Sequence, residues 1–495
     1  MKKVISNIKI GLLLTTLVIA TSCKKLLDIN ESPNNPGIDN ATPEVLFPTG
    51  VISTAAGTGG QLAAVGGIWA QYFTQSATAA QFKQVEAYNL TNIDEELNLS
   101  YEELYTGALS DYQLTIQKAT ERSDWRYNLM ATVMRAYTYA FLVDLYDRVP
   151  YSEALQGQAN VQPAFDDGYS IYVSLLGTID AALAKDYKSA PLSAAQKTTD
   201  FVFGGDMDKW ERFANTLKLK MYLRMVNAKP AEAEAGIKAL YSSGAKFLTT
   251  SAGVSTFPGS PDKSNPFYEY NIRRLNVTTN LRASTTFTSW LGLNNDPRVT
   301  SYFGTANPIS IHQGDYAAPT AVQPTYPNAT VFVQSATDPV WFITDAESYF
   351  MQAEARERYF EGAGAKELYD AGVTAAFALV GKAPGALLKG AYAYPTSGTF
   401  EQKLEAIIVQ KWASLVAGSH GMEAFFEQNR TGYPRTSNVY SKDPSYVPGR
   451  LVYSANGVTG PGNFPKRFLY PDYEKSRNPN TPAEVPITTK VWWAK

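Results

Sequence analysis

Cysteine and histidine are almost missing from this chain: its 495 residues hold one Cys and two His. A lone cysteine cannot close an internal disulfide, and two histidines give a zinc site or a Ser-His triad little material. No long basic block is present; 44 Lys and Arg face 46 Asp and Glu, a formal net charge of -2, which argues against a nucleic-acid partner. Beyond Cys23 there is no apolar run long enough to span a bilayer. Against these shortages stand 31 Tyr, 23 Phe and 8 Trp, side chains that offer stacking surfaces with polar handles. The composition favours binding over catalysis, with no metal and no cofactor expected.

At the amino terminus, Lys2, Lys3 and Lys9 flank or precede an apolar run from Ile10 to Ala20, too short to cross a hydrocarbon core of about 30 Å. This is the layout of a cleaved export signal. Ala20-Thr21-Ser22-Cys23 resembles a bacterial lipobox, in which Cys23 is lipidated and becomes the new amino terminus. The bland alternative is an ordinary cleaved signal with an incidental cysteine. Residues 30–49, rich in Pro, Asn, Asp and Gly, read as an arm or leash. Length alone allows two to four domains or one large helical solenoid. The expected organisation is a signal peptide over 1–22, a lipid-anchored linker over 23–50 and one domain over 51–495.

Helical periodicity is clearest after Asp124. Leu129, Met130, Val133, Met134, Tyr137, Phe141 and Leu145 recur at spacings of three and four, Asp124 stands where an N-cap belongs, and Pro150 stops the helix near 146–148. Further helices are expected over 100–120, 166–184, 231–241 and 365–380, with capping boxes starting others at Asp208–Glu211, Thr344–Glu347 and Thr399–Gln402. Trp69, Tyr72 and Phe73 would share a helical face within 68–81, and the GTGG run at Gly57 to Gly60 reads as turns. From 250 to 340 periodicity is lost, and irregular stretches of this length tend to be functional. The expected fold class is mainly α: a helical scaffold over 51–249 and 341–430, an irregular ligand lobe with short strands over 250–340, and a C-terminal segment over 431–495. The pair of helices broken at Gly362 and Gly364 resembles a tetratricopeptide unit, with Ala353, Ala355, Tyr369 and Ala376 near its small and aromatic positions.

Four segments carry a family likeness: LVDLYDRVPY from Leu142, FANTLKLK from Phe213, EAFFEQNRTGYPR from Glu423 and FPKRFLYPDYEKSRN from Phe464. In this order the chain resembles the SusD/RagB family of outer-membrane lipoproteins. The resemblance implies a lipid anchor in the outer membrane, through Cys23, and a chain facing the cell exterior. It also implies a SusC-like TonB-dependent transporter as partner, with this chain as a lid over its mouth, and capture of a nutrient without bond chemistry. An oligosaccharide is the expected ligand and an oligopeptide the alternative.

Aromatic rings suit sugars because the apolar face of a pyranose lies on a ring while its hydroxyls meet amides and charged groups. Trp290 in the irregular stretch is the first candidate; Tyr268 and Tyr270 with Asn271 and Arg273 come second; Trp69, Tyr72 and Tyr88 come third. Burial in the core is the competing reading for each. Two other function classes stay open, a surface glycoside hydrolase and a structural tetratricopeptide adaptor. A hydrolase needs two carboxylates roughly 5 to 9.5 Å apart. Asp144 with Asp147 and Glu354 with Glu357 instead read as solvated or helix-end pairs, His312 and His420 as structural, and Asn294 to Asp296 as a turn in preference to a calcium loop.

Overall fold

The helix that begins after Asp124 is the axis of the molecule. In the computed structural model of the protein, residues 41–90, 95–318 and 320–495 are described, so the expected signal peptide and Cys23 lie outside them. Along the chain the principal helices are α1 (Pro43–Gly59), α2 (Gln61–Trp69), α3 (95–121), α4 (Trp125–Tyr146), α5 (Gly168–Leu183) and α6 (Met207–Met225). They continue as α7 (Pro230–Ser242), α8 (Thr285–Leu293), α9 (Asp345–Tyr359), α10 (Ala365–Ala378), α11 (Phe400–Ser414) and α12 (Gly421–Thr431). Short strands form three separate two-stranded antiparallel ribbons. β1 (Phe73–Gln75) pairs with β5 (Leu281–Ala283), β2 (Arg148–Pro150) with β3 (Phe165–Asp167), and β4 (Ala252–Val254) with β6 (Val340–Ile343). No helix among the described residues is long and apolar enough to cross a membrane.

The fold is mainly α, built of helical hairpins. α3 packs on α4, α4 on α5, α6 on α7, and α9 on α10 and α11. In the α9–α10 hairpin, Ala353, Ala355, Tyr369 and Ala376 are all buried, and Gly372 lies so close to Phe350 that a Cβ there would stand 2.8 Å from the ring. Small residues at this crossing let the helices approach.

α4 departs from a one-sided amphipathic helix: from Tyr127 to Tyr146 every residue except Arg135 is buried. It is wrapped on all sides, as a helix apolar all round must be. It ends at Tyr146, as Pro150 predicts, with Asp147 at φ 74°. Its last carbonyls would be orphans. The late FPKRFLYP segment satisfies them: the Phe468 amide donates to the Leu145 carbonyl at 2.8 Å, and the Tyr470 hydroxyl to Tyr146 at 3.1 Å. Two motifs more than 300 residues apart are thus one structural joint.

The other motif residues meet in a buried charge network beside α4. Arg224 binds Asp144 at 3.0 Å, Glu423 at 2.9 Å and Glu427 at 2.7 Å. Arg430 binds Glu427 and Glu354, both at 2.6 Å. Lys220 and Lys411 join Glu347 and Glu423 at 2.8 to 3.5 Å. Asp144 and Glu354 are therefore corrected from solvated pairs to core ions. Burial pushes Glu423 and Glu427 up, but the surrounding cations outweigh it and hold Glu423 down to about 2 and Glu427 well below its ordinary value. Such a network fixes which helices meet; removing one partner strands buried charge.

Several local expectations change. Asp124 sits at the N-cap position, but its carboxylate pairs with Arg126 at 2.9 Å instead of capping. The start of α6 is capped by Asp206, which accepts from the Lys209 amide, so Asp208 and Glu211 form no capping box. Thr344 does cap α9, while the Glu347 side chain turns into the charge network; Thr399 and Gln402 form the full box. α1 begins at Pro43, inside the stretch read as a linker, and Gly57 and Gly59 are helical. The helix expected over 68–81 ends at Trp69, after which Phe73 enters β1.

Candidate functional site

An open hollow of about 770 Å³ lies between α1, the amino-terminal half of α3 and the segment from Val254 to Arg274. Ligand sites are concavities of this order, mostly apolar with a few polar groups. Phe201, Leu99 and Ile52 line it while 44%, 53% and 40% exposed, so large apolar side chains are left facing solvent here. Buried Phe257 and Val254 and half-buried Tyr270 also line it. Gln61, Glu102, Glu103, Lys263, Glu269 and Arg274 supply polar groups.

Local backbone chemistry builds both walls. Gly57 lets α3 come close to α1, because a Cβ there would stand 2.6 Å from Leu104. α3 passes through a π-helical stretch, Glu103–Leu109, and the opposite wall through another, Glu269–Arg274. The second follows a short turn in which the Asn265 side chain accepts from the Tyr268 amide at 3.0 Å. A π turn carries an extra residue, re-aims the side chains beside it, and recurs at functional sites. Both stretches border this one hollow.

Of the sequence candidates, the structure brings Tyr270 to the hollow. Tyr268 is its half-buried neighbour, with the Arg273 guanidinium 5.5 Å above its ring. Arg273 braces the wall from behind: it donates to Gly259 O at 2.9 Å and Ser264 Oγ at 2.8 Å and pairs with Glu269 at 2.9 Å. Asn271 is buried and bonds Gln334 at 2.5 Å.

The remaining aromatics are in the core, which corrects the expectation of open rings. Trp290 lies on helix α8, capped by Ser284, and is stacked between Phe287 at 6.4 Å and Tyr392 at 5.4 Å. Tyr72 is packed on Phe287 and Trp412, its hydroxyl donating to the Trp412 carbonyl at 2.5 Å. The Trp69 indole donates to Val85 O at 3.0 Å, and Tyr88 packs against Tyr453 and Phe464. Trp69 and Tyr88 edge a crevice of only about 10 Å³, room for one water. Sequence reasoning missed Gln61, Glu102, Glu103, Phe201, Phe257 and Arg274. The legible signal was on α3, where Leu99, Glu102 and Thr106 fall off the Tyr101–Leu104–Tyr105 stripe.

Two acids with raised values lie away from the hollow and are sealed. Burial pushes Glu86 up to about 7 although Thr74, Gln75 and Gly314 all donate to it, and Asp144 up to about 6 against the pull of Arg224. Glu347, His420 and Glu423 bring ligand atoms within 4.8 Å of one another, but the Lys220 ammonium already bonds both carboxylates at 2.8 and 2.9 Å. A cation's place there is taken by the protein. Burial lowers His420 below its ordinary value, so it stays neutral. His312 Nδ1 meets Ser441 Oγ at 2.8 Å, but the Asp315 carboxylate is committed to Tyr326 and Lys442, so no triad forms. Asp296 is clamped to Arg298 at 2.6 Å and to Tyr392 at 2.7 Å, holding the expected turn.

Comparison with known proteins follows the fold. A chitin-binding SusD homolog from Flavobacterium johnsoniae superposes with a TM-score of 0.73 at 20% identity, over 90% of this chain and 98% of that one. A SusD homolog from Bacteroides uniformis gives 0.73 at 21% identity, over 91% and 99%. One from Bacteroides thetaiotaomicron gives 0.69 at 20% identity, over 92% and 99%. At such identities these likenesses establish the fold. No curated protein matches the sequence. The family described as SusD-like, starch-binding associating with outer membrane, matches residues 37–454. That span includes both walls of the hollow, all of the charge network and the α4 axis, and the chain belongs to the SusD-like family.

Proposed function

We propose that this chain is a cell-surface nutrient-binding lipoprotein that captures an oligosaccharide in the hollow and delivers it to a SusC-like TonB-dependent transporter. The observation that carries the reading is an open concavity with exposed Phe201 and Leu99, beside Tyr270, Gln61 and Arg274, in a protein of the SusD-like family. Apolar rings and side chains receive the faces of sugar rings, and the polar groups bond hydroxyls. A chitin-binding relative supports a glycan cargo. Cys23 would hold the chain to the outer membrane on the outer face, its acyl chains giving about 0.8 kcal/mol per buried methylene.

The mechanism is binding and release. A lid over a transporter opens and closes with comparable free energies, and cargo shifts that balance by its difference in affinity for the two states. No bond of the cargo is broken in this reading: Glu86 and Asp144, raised to about 7 and about 6 by burial, are sealed in the core and out of reach of cargo. An oligopeptide is the second cargo, favoured by carboxylates on one wall of the hollow and cations on the other.

Titration calorimetry of the mature protein against chito- and malto-oligosaccharides and oligopeptides, with product analysis of each mixture, tests this. Saturable binding without new products is expected, with binding weakened at least tenfold by Tyr270→Ala. Turnover by a contaminant-free sample, or wild-type affinity in Tyr270→Ala, would overturn the reading. Cys23→Ala should move the protein from the membrane fraction to the soluble fraction.

A further inference from the structure

The α3 wall of the hollow carries charge that no protein cation balances. Glu102 and Glu103 both line it, and neither has a Lys or Arg at ion-pair distance among the described residues. Asp111 on the same helix is pushed up to about 6 by its burial and by the charge on Glu103. A cation arriving at Glu103 would relieve that repulsion. An independent observation comes from α2: Gln61 lines the same hollow, is only 7% exposed, and its side-chain carbonyl oxygen receives no hydrogen bond from the described residues. Buried acceptors without a donor are rare in folded proteins. This one awaits an N–H or O–H from outside the chain.

The cations of the hollow stand on the other wall. Lys263 and Arg274 are exposed there beside Asp262, while Glu269 is matched by Arg273 at 2.9 Å. The hollow is therefore polar, with only acidic charge along α3 and its cations, mixed with Asp262, along the opposite wall. That polarity orients a positively charged group toward α3.

We infer that the hollow selects ligands bearing a primary ammonium group, seated on the Glu102–Glu103 wall, with Gln61 accepting a hydrogen bond from the ligand. The inference rests on the hollow being the ligand site and states what the ligand must carry. A sugar with a free 2-amine has this chemistry and its N-acetylated form lacks it. The amino terminus of an oligopeptide is the other source of the same group.

Two matched pairs of probes separate the cases: the hexamers of β-1,4-linked glucosamine and N-acetylglucosamine, and tetra-alanine with a free or an acetylated amino terminus. Calorimetry on the mature chain is run where the amines are protonated. The free-amine member of at least one pair is expected to bind tenfold or more tightly than its acetylated partner, and the pair that shows it identifies the source. In Glu103→Gln and Glu102→Gln/Glu103→Gln that ratio is expected to fall to about two, with the thermal midpoint unchanged. Rising salt should compress the wild-type ratio. Equal affinities within both pairs, a preference for the acetylated members, or an unchanged ratio in the double variant would overturn the ammonium assignment while leaving the hollow as a ligand site. Absence of binding by all four probes and by the wider glycan panel would remove the hollow reading itself.

Discussion

Two regions of this protein use the same residue types in opposite ways. Beside α4, Asp144, Glu347, Glu354, Glu423 and Glu427 are buried and matched by Lys220, Arg224, Lys411 and Arg430. In the hollow, Glu102 and Glu103 line one wall and Lys263 and Arg274 another, and none of the four has an ion-pair partner among the described residues. Aromatics divide likewise: Trp290 is stacked on both faces, whereas Phe201 is 44% exposed. Groups satisfied inside the chain hold the helices in place, and groups left unsatisfied beside an open cavity are available to cargo.

The comparison breaks most readily at Arg224. Replacing it with Met leaves buried Asp144 without its cation and takes one cation from each of Glu423 and Glu427, and equilibrium denaturation should show a loss of about 3–5 kcal/mol. A loss under about 1 kcal/mol would mean the network is not structural. Next come the two classes of aromatic. Trp290→Ala should cost about 3–5 kcal/mol of stability through the cavity it leaves. Tyr270→Ala should cost about 1 kcal/mol of stability and at least tenfold in ligand affinity, which is about 1.4 kcal/mol. Equal stability losses would erase the distinction between core and site.

Titration sharpens the same contrast. Glu423 is depressed to about 2 in the fold from an ordinary 4.5, so its contribution is fully present above about pH 4.5 and is lost as pH falls toward about 2. Glu86 runs the other way. Its value is raised to about 7 by burial, so the folded state binds the extra proton between about 4.5 and 7 and stability declines as pH rises through that window. At about 1.4 kcal/mol per unit, the decline is roughly 3 kcal/mol. Urea midpoints of wild type and Glu86→Ala across pH 4 to 8 should isolate it. The smallest effect belongs to the surface: Thr399→Ala removes the α11 cap and should lower stability by about 1 kcal/mol without touching binding.

How much of this was legible in the sequence depends on the distance between partners. The α4 span and its stop, the Thr399–Gln402 box and the α9–α10 hairpin were legible because their causes lie within a few residues. The α1–α2 region was read as turns and linker because glycines look like breakers in isolation. In the fold they are crossing points: a Cβ on Gly66 would stand 2.2 Å from the Met422 amide of α12. Asp144 looked like a surface acid because its cation, Arg224, is 80 residues away. Trp290 looked exposed because the Ser284 cap of its helix was missed, and Tyr392 and Trp412, which cover it, come from distant segments. Tyr270 was found by composition, but its companions Gln61, Glu103 and Phe201 come from three other segments that only folding assembles.

Hydrogen–deuterium exchange of the mature protein, with and without a saturating oligosaccharide found by calorimetry, tests the central claim most directly. Cargo held in the hollow should slow exchange in residues 95–109 and 256–274 and leave α9 to α11 unchanged. Protection confined to other segments, with those two walls exchanging as in the free protein, would contradict it.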